Sequence, residues 1–268
     1  MLLDPRNGHA FDLPPPEGAP RSWVLASSPR TGSTLLCRAL WDTGLVGAPS
    51  EYLNPMQVRD WEVRLGGALS ARYHRALRGP LLALVGRPGW GDDRLRAYLD
   101  RVRARRTGPT GHFGLKLHHH HLEQWFLGPG RDPQRWLGEP VWVQISREDR
   151  LAQAISWARA LQTGQWASTQ RPWMRPVYDR RSIQARLRAI ERAEQGWRDW
   201  FERADIEPLR LSFEQLTADL PGTVRVVLAR LGVADPARVQ VPAPELRPQA
   251  DGVSEAWRTR FLAEPATR

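Results

Sequence analysis

The sequence predicts an α/β protein: a parallel sheet flanked by helices. Trp23 to Ser28 is a short apolar run ending in small polar residues, as a buried parallel strand reads when it leaves a sheet. A small-residue loop follows at once and leads into a helix whose Leu35, Leu36, Ala39 and Leu40 share one face. The alternation then recurs, with strands at His112 to Leu117, Val141 to Ser146 and Pro208 to Phe213 separated or followed by helical periodicity. A chain of 268 residues suits one domain with a sizeable core. We read it as residues 21–268, with a helical insertion around 56–108, behind an extended Pro- and Gly-rich arm over 1–20.

The first unit, strand, loop, helix, carries the chemistry. Pro29, Arg30, Thr31, Gly32, Ser33 and Thr34 form the loop and helix start, with Ser33 or Thr34 placed to cap. Backbone N–H groups and the helix dipole converge there and favour an anion such as a phosphate. A nucleotide-hydrolysing P-loop needs Lys just before the Ser or Thr that holds magnesium. In this chain Gly32 is followed directly by Ser33, and the cation sits earlier, at Arg30.

After the first helix, Gly44 to Pro49 is a turn-rich connection and Ser50 to Pro55 a short polar segment opening onto Trp61, Val63 and Leu65. Leu69 to Arg106 alternates weakly amphipathic stretches with the breaker-rich run GRPGWGDD, a helical insertion laid over the sheet. The strand at His112 delivers Lys116 and His118 near its end, both pointing the same way. Val141 to Ser146 runs into Arg147, Glu148 and Asp149 at the start of a helix carrying Leu151, Ile155 and Trp157, signalled by Ser146 and closed by Gly164. The longest helix spans Arg180 to Arg203, on the spacing of Ile183, Leu187, Ile190, Trp197 and Phe201. A helix near Val224 to Leu231 and a tail that turns helical around Trp257 complete the chain.

Composition excludes several classes. Cys37 is the only cysteine, so no intrachain disulfide forms, and it reads as a helix-packing residue. There is no basic, apolar leader and no segment able to span a bilayer, which points to a cytoplasmic protein. The net charge of +10 raises nucleic-acid binding, but the basic residues are spread along every helix without aromatic interleaving. Lys116 is the sole lysine among 39 basic residues, so the excess reflects a preference for arginine. Four consecutive histidines, His118 to His121, cannot converge on one ion in a regular strand or helix, and no metal is expected.

PRTGSTLLCRAL, PSEYLNP, GHFGLKLHHHHL and SREDRLAQAISWARALQTGQW together resemble the Stf0 family of bacterial sulfotransferases, over nearly everything after the first twenty residues. The resemblance implies a P-loop-like sulfotransferase fold and 3′-phosphoadenosine-5′-phosphosulfate (PAPS) as sulfuryl donor, passed in one in-line step to a hydroxyl of a carbohydrate or glycolipid. By the same resemblance, Arg30, Thr31, Gly32, Ser33 and Thr34 cradle the 5′-phosphosulfate, with Arg30 where better-known sulfotransferases carry Lys. Arg147 and Ser156 hold the 3′-phosphate, and Glu51 is the acceptor-activating base. His118, two positions after Lys116, matches the base of eukaryotic-type sulfotransferases, so both candidates stand. A carboxylate in that role is usually raised in pKa by partial burial. Lys116 suits the sulfonate or bridging oxygens as a point charge. Phe213 and Glu214 resemble a loop near the adenine. Arg247, Gln249, Asp251 and Trp257 resemble a closing tail, with Arg247 a second phosphate contact and Trp257 a packing residue. An ATP-dependent small-molecule kinase and a non-catalytic basic nucleotide- or RNA-binding protein are the alternatives. The sequence leaves the acceptor and the oligomeric state, a homodimer included, open.

Overall fold

The computed structural model describes residues 4–16, 18–65, 90–246 and 251–265. Four strands, β1 (Arg21–Ser27), β2 (His112–His118), β3 (Val141–Ser146) and β4 (Leu209–Ser212), form one sheet in the order β2-β1-β3-β4, every pair parallel. Trp23 to Ala26 of β1 have no exposed surface, as expected of a central strand covered on both faces. Alternation divides the core between those faces. Val24, Ala26, Phe113, Leu115, Leu117 and Trp142 belong to one cluster, and Trp23, Leu25, Val143, Ile145 and Leu211 to the other.

On the first face lie α2 (Pro55–Arg64), α3 (Asp92–Arg106) and the later part of α7 (Arg180–Arg203), contributing Val58, Trp61, Leu95, Tyr98, Leu99, Trp197, Trp200 and Phe201. On the second lie α1 (Ser33–Asp42) and α9 (Leu220–Arg230), with Leu36, Leu40, Val224, Val227 and Leu228. Three shorter helices, α4 (His119–Leu122), α5 (Pro133–Leu137) and α8 (Phe213–Ala218), join the elements. A third cluster packs α6 (Arg150–Thr163) against the start of α7 and Trp257 of α10 (Gly252–Ala263). Trp257 is thus the packing residue the sequence suggests. Much of the expected insertion, 66–89, lies outside the described residues, as do Arg247 and Gln249.

Several local readings are corrected. The N-terminal arm is not simply extended. Its turns at Pro5–Asn7 and His9–Phe11 dock on α2 and α3, where Asp4 N–H donates to Asp60 Oδ2 at 2.8 Å and the buried Arg106 donates to the carbonyls of Arg6, Gly8 and Phe11. The cap of α6 is Asp149, whose Oδ1 accepts the Ala152 N–H at 3.0 Å, rather than Ser146, so Arg147 lies in the β3–α6 loop before the helix. Neither Ser33 nor Thr34 caps α1, because the Ncap is Gly32, which has no side chain to donate or accept. The Phe213 segment is itself a helix, entered through a capping box between Ser212 and Gln215.

Candidate active site

Parallel strands end together at their carboxyl edge, and the chain switches there from β2, on one side of β1, to β3 on the other. Such a crevice is where open α/β sheets bind ligands. The loop after β1, the ends of β2 and β3 and the start of α1 all meet at it.

The loop is built to hold one shape. Arg30 and Gly32 both have left-handed backbone, at φ 70 and 79°. Thr31 is fully buried and its hydroxyl donates to Ser28 O at 3.0 Å, so its expected donor contact is left to backbone alone. Gln153, on α6, donates from Nε2 to Ser28 Oγ at 2.9 Å and to Pro29 O at 2.7 Å, fastening the loop to the helix that carries Ser156. The first turn of α1 remains to offer N–H groups to an anion. A Cβ at Gly32 would lie 2.8 Å from the Phe213 ring. Gly32→Ala therefore combines backbone strain with a clash, and we expect it to cost about 1 to 3 kcal/mol of stability. Denaturant unfolding against the parent chain checks this, and an unchanged midpoint would show that the loop yields.

On one side of the loop lies an arginine group. Arg30 does not reach forward over α1. Its Nε donates to Ser156 Oγ at 2.9 Å and its Nη1 to Trp166 O at 2.5 Å. Burial and the charges of Arg147 and Arg159 pull Arg30 down to about 10, still cationic at neutral pH. Arg147 stacks 4.2 Å from the centre of the Phe213 ring. Burial lowers Arg147 as well, and its buried Nε has no hydrogen-bond partner. A buried guanidinium N–H without an acceptor costs free energy unless a ligand supplies one, so these residues fit an anionic ligand. Phe213 is brought to the site as expected, but under Arg147 and against Gly32.

On the other side lies a carboxylate group. Ser50 pairs with β2 by an isolated parallel bridge, Lys116 N–H donating to Ser50 O at 2.9 Å, which sets the next residue, Glu51, beside the end of the strand. The segment is held from behind by Trp125 Nε1 on Leu53 O at 2.8 Å and Tyr98 Oη on Tyr52 O at 2.5 Å. Glu51 Oε1 is 2.5 Å from Lys116 Nζ and 3.4 Å from His118 Nε2, while Oε2 accepts from Asn54 Nδ2 at 2.8 Å. Lys116 Nζ also donates to Thr34 Oγ1 at 2.9 Å, linking this group to α1, and His118 Nδ1 lies 3.0 Å from Ser27 Oγ. The two candidate bases thus share one hydrogen-bonded group. Burial would lift the Glu51 carboxyl, but the Lys116 ammonium, then His118, outweigh it and hold it well below the usual carboxylate range. The raised pKa expected of a base is not what this state shows.

The histidine run breaks from strand to helix after His118, so three of its rings do gather. His118 and His121 stack at 5.6 Å and His120 and His121 lie 4.0 Å apart, while His119 turns to Trp197. Burial holds His120 at about 4 and His121 well below the ordinary value, leaving both neutral. Among the described residues no group of three metal-ligating side chains is assembled. Asn54 and Gln153 escaped the sequence reading. The Asn-Pro pair carries a helix-cap signal, and Asn54 does cap α2 through Met56 N–H, but nothing local marks its second contact. Gln153 has only the weak signal of an amide in a run of small apolar residues.

A strained loop at the sheet's carboxyl edge, walled by arginines on one side and by a carboxylate, an ammonium and an imidazole on the other, has the parts that group transfer from an anionic donor needs. The family model for the Stf0 sulphotransferase matches residues 22–264, and the chain belongs to that family and is a sulfotransferase. It is 30% identical over 268 residues to a trehalose 2-sulfotransferase of Mycobacterium tuberculosis, covering 92% of this chain and 96% of the relative. It is also 30% identical over 264 residues to a trehalose 2-sulfotransferase of Mycolicibacterium smegmatis, covering 90% and 94%. A solved retinol dehydratase in complex with retinol and PAP aligns over 94% of this chain and 84% of its own, with 16% identity and a TM-score of 0.42. Family membership decides against the kinase and the non-catalytic binding protein.

Proposed function

We propose that the enzyme moves the sulfuryl group of PAPS to a hydroxyl of a carbohydrate or carbohydrate-bearing lipid, with trehalose the first acceptor to try, given the two mycobacterial relatives. The observation that carries the reading is the buried pairing of Glu51 with Lys116 against Thr34 at the start of α1. A carboxylate and a cation together beside the first turn of α1 are what such a transfer would need. The acceptor hydroxyl attacks sulfur, its proton passes to the Glu51–His118 pair, the S–O bond to the phosphate breaks, and 3′,5′-ADP departs with that oxygen. Lys116 offsets the charge that develops on the sulfonate and bridging oxygens. As Lys116 turns to those oxygens, Glu51 loses its strongest cation and its basicity rises towards that of a useful base. The low pKa of the resting carboxylate is thereby reconciled with its role.

Donor selection rests on the arginine side. Arg147 is the 3′-phosphate contact in this reading, with Ser156, while Arg30, which the resemblance gives to the 5′-phosphosulfate, is turned to Ser156 on that same side. Calorimetric titration of the parent chain should give tight binding of 3′,5′-ADP without magnesium. Arg147→Ala should weaken that binding by about 1.5 to 3 kcal/mol and 5′-AMP binding far less, because only the former offers the 3′-phosphate. Equal losses for both nucleotides would make Arg147 a structural residue. Preference for ATP with magnesium would overturn the donor assignment.

A further inference from the structure

The segment between α6 and α7 presents an apolar face that the transfer reaction leaves unused. Trp173 is 76% exposed, Val177 67%, Met174 52% and Trp166 41%. These side chains are held outward by polar bonds inside the segment. Trp173 N–H donates to Thr163 O at 3.1 Å and its indole Nε1 to Gln162 O at 2.6 Å. The Gln162 amide donates to Val177 O and accepts Val177 N–H, at 2.9 and 2.8 Å. Gln170 Oε1 accepts the N–H groups of Trp166 and Ala167, at 2.8 and 3.1 Å. Much of the segment's hydrogen-bonding capacity is therefore turned inward, the Trp173 indole included, and the four apolar side chains are left facing out.

The charge around this face is one-signed. Arg171 and Arg175, both exposed, bracket Trp173 and Met174, and no Asp or Glu occurs anywhere from Arg150 to Tyr178. We propose that this segment is a peripheral docking surface for an anionic lipid leaflet. Tryptophan rings settle at the membrane interface, and a ring whose N–H is already bonded enters it without an unpaired donor. Arginines meet lipid phosphates with charge-assisted hydrogen bonds, and juxtamembrane basic residues are drawn to anionic headgroups. A second copy of the chain is the competing occupant, which the test below separates. The surface also adjoins the donor loop, through Trp166 O and Arg30.

The test is sedimentation of the full chain with vesicles of phosphatidylglycerol and phosphatidylcholine, compared with phosphatidylcholine alone. It needs no turnover, so its outcome is separate from that of the PAPS reading. We expect salt-sensitive binding to the anionic vesicles only. Arg171→Ala with Arg175→Ala should weaken it roughly thirtyfold, and Trp173→Ser with Met174→Ser should abolish the tryptophan fluorescence blue shift on binding. Because Trp173 also covers Gly164, Met174→Ser with Val177→Ser is the second variant and must weaken binding with an unchanged thermal melt. No binding to anionic vesicles, or binding that all three variants retain, would overturn the proposal. So would self-association or capture of an acidic protein that the same substitutions abolish while vesicle binding is absent.

Discussion

Glu51→Gln should lower kcat by roughly 10²- to 10⁴-fold, the usual worth of a positioned general base, while 3′,5′-ADP binds as tightly as to the parent chain. The amide keeps the length and the hydrogen bonds of the side chain but cannot take the acceptor's proton as a carboxylate does. The arginine side that would hold the donor is built from other residues, Arg30 on Ser156 and Arg147 on the Phe213 ring, so nucleotide affinity reports whether the site survives. His118→Asn should be milder, because His118 reaches Glu51 Oε1 at 3.4 Å but is anchored through Ser27. Since both bear on one carboxylate, their effects should not add, and the double variant should turn over about as slowly as Glu51→Gln alone. Rapid turnover by Glu51→Gln together with collapse in His118→Asn would give the base role to His118.

How far the sequence reaches is clearest from the two sides of this site. The strands were legible because a parallel sheet needs uninterrupted apolar runs, and Trp23 to Ala26 could hardly be anything else. Lys116 and His118 were placed on one side of a strand by its period of two, and both do meet Glu51. Contacts between distant elements left no local trace. The bridge from Ser50 to β2, the amide of Gln153 on the loop and the docking of the arm on Arg106 each join residues far apart in sequence. Nor does a guanidinium's direction follow from its position. Arg30 stands in the loop as read, yet its side chain goes to Ser156 on another helix, because a left-handed φ and the carbonyl of Trp166 take it there. The depressed Glu51 carboxyl follows similarly from a 2.5 Å ion pair that only tertiary structure creates.

Lys116→Met should be as damaging as Glu51→Gln, with a different signature. Methionine keeps the apolar stem but removes the charge, and loss of a comparable transition-state donor costs roughly 10²- to 10³-fold in kcat. Arginine should not restore activity, because its forked, planar head does not replace a compact ammonium held between Glu51 and Thr34. The pH profile supplies the distinguishing result. With Lys116 gone, burial becomes the dominant influence on Glu51, its pKa rises, and the acid limb of the rate profile moves to higher pH. Stability should change in the same sense. In the parent chain the depressed carboxyl contributes stability above its unfolded pKa that is lost as pH falls through the folded value. In Lys116→Met the ionised Glu51 is a burden instead, about 3 to 5 kcal/mol before His118 and Asn54 offset part of it. That deficit should shrink as pH falls through the raised pKa. Adding Glu51→Gln to Lys116→Met should recover much of the lost thermal stability and none of the activity. A double variant no more stable than Lys116→Met, or an acid limb that stays in place, would show that the 2.5 Å pair does not govern this carboxylate.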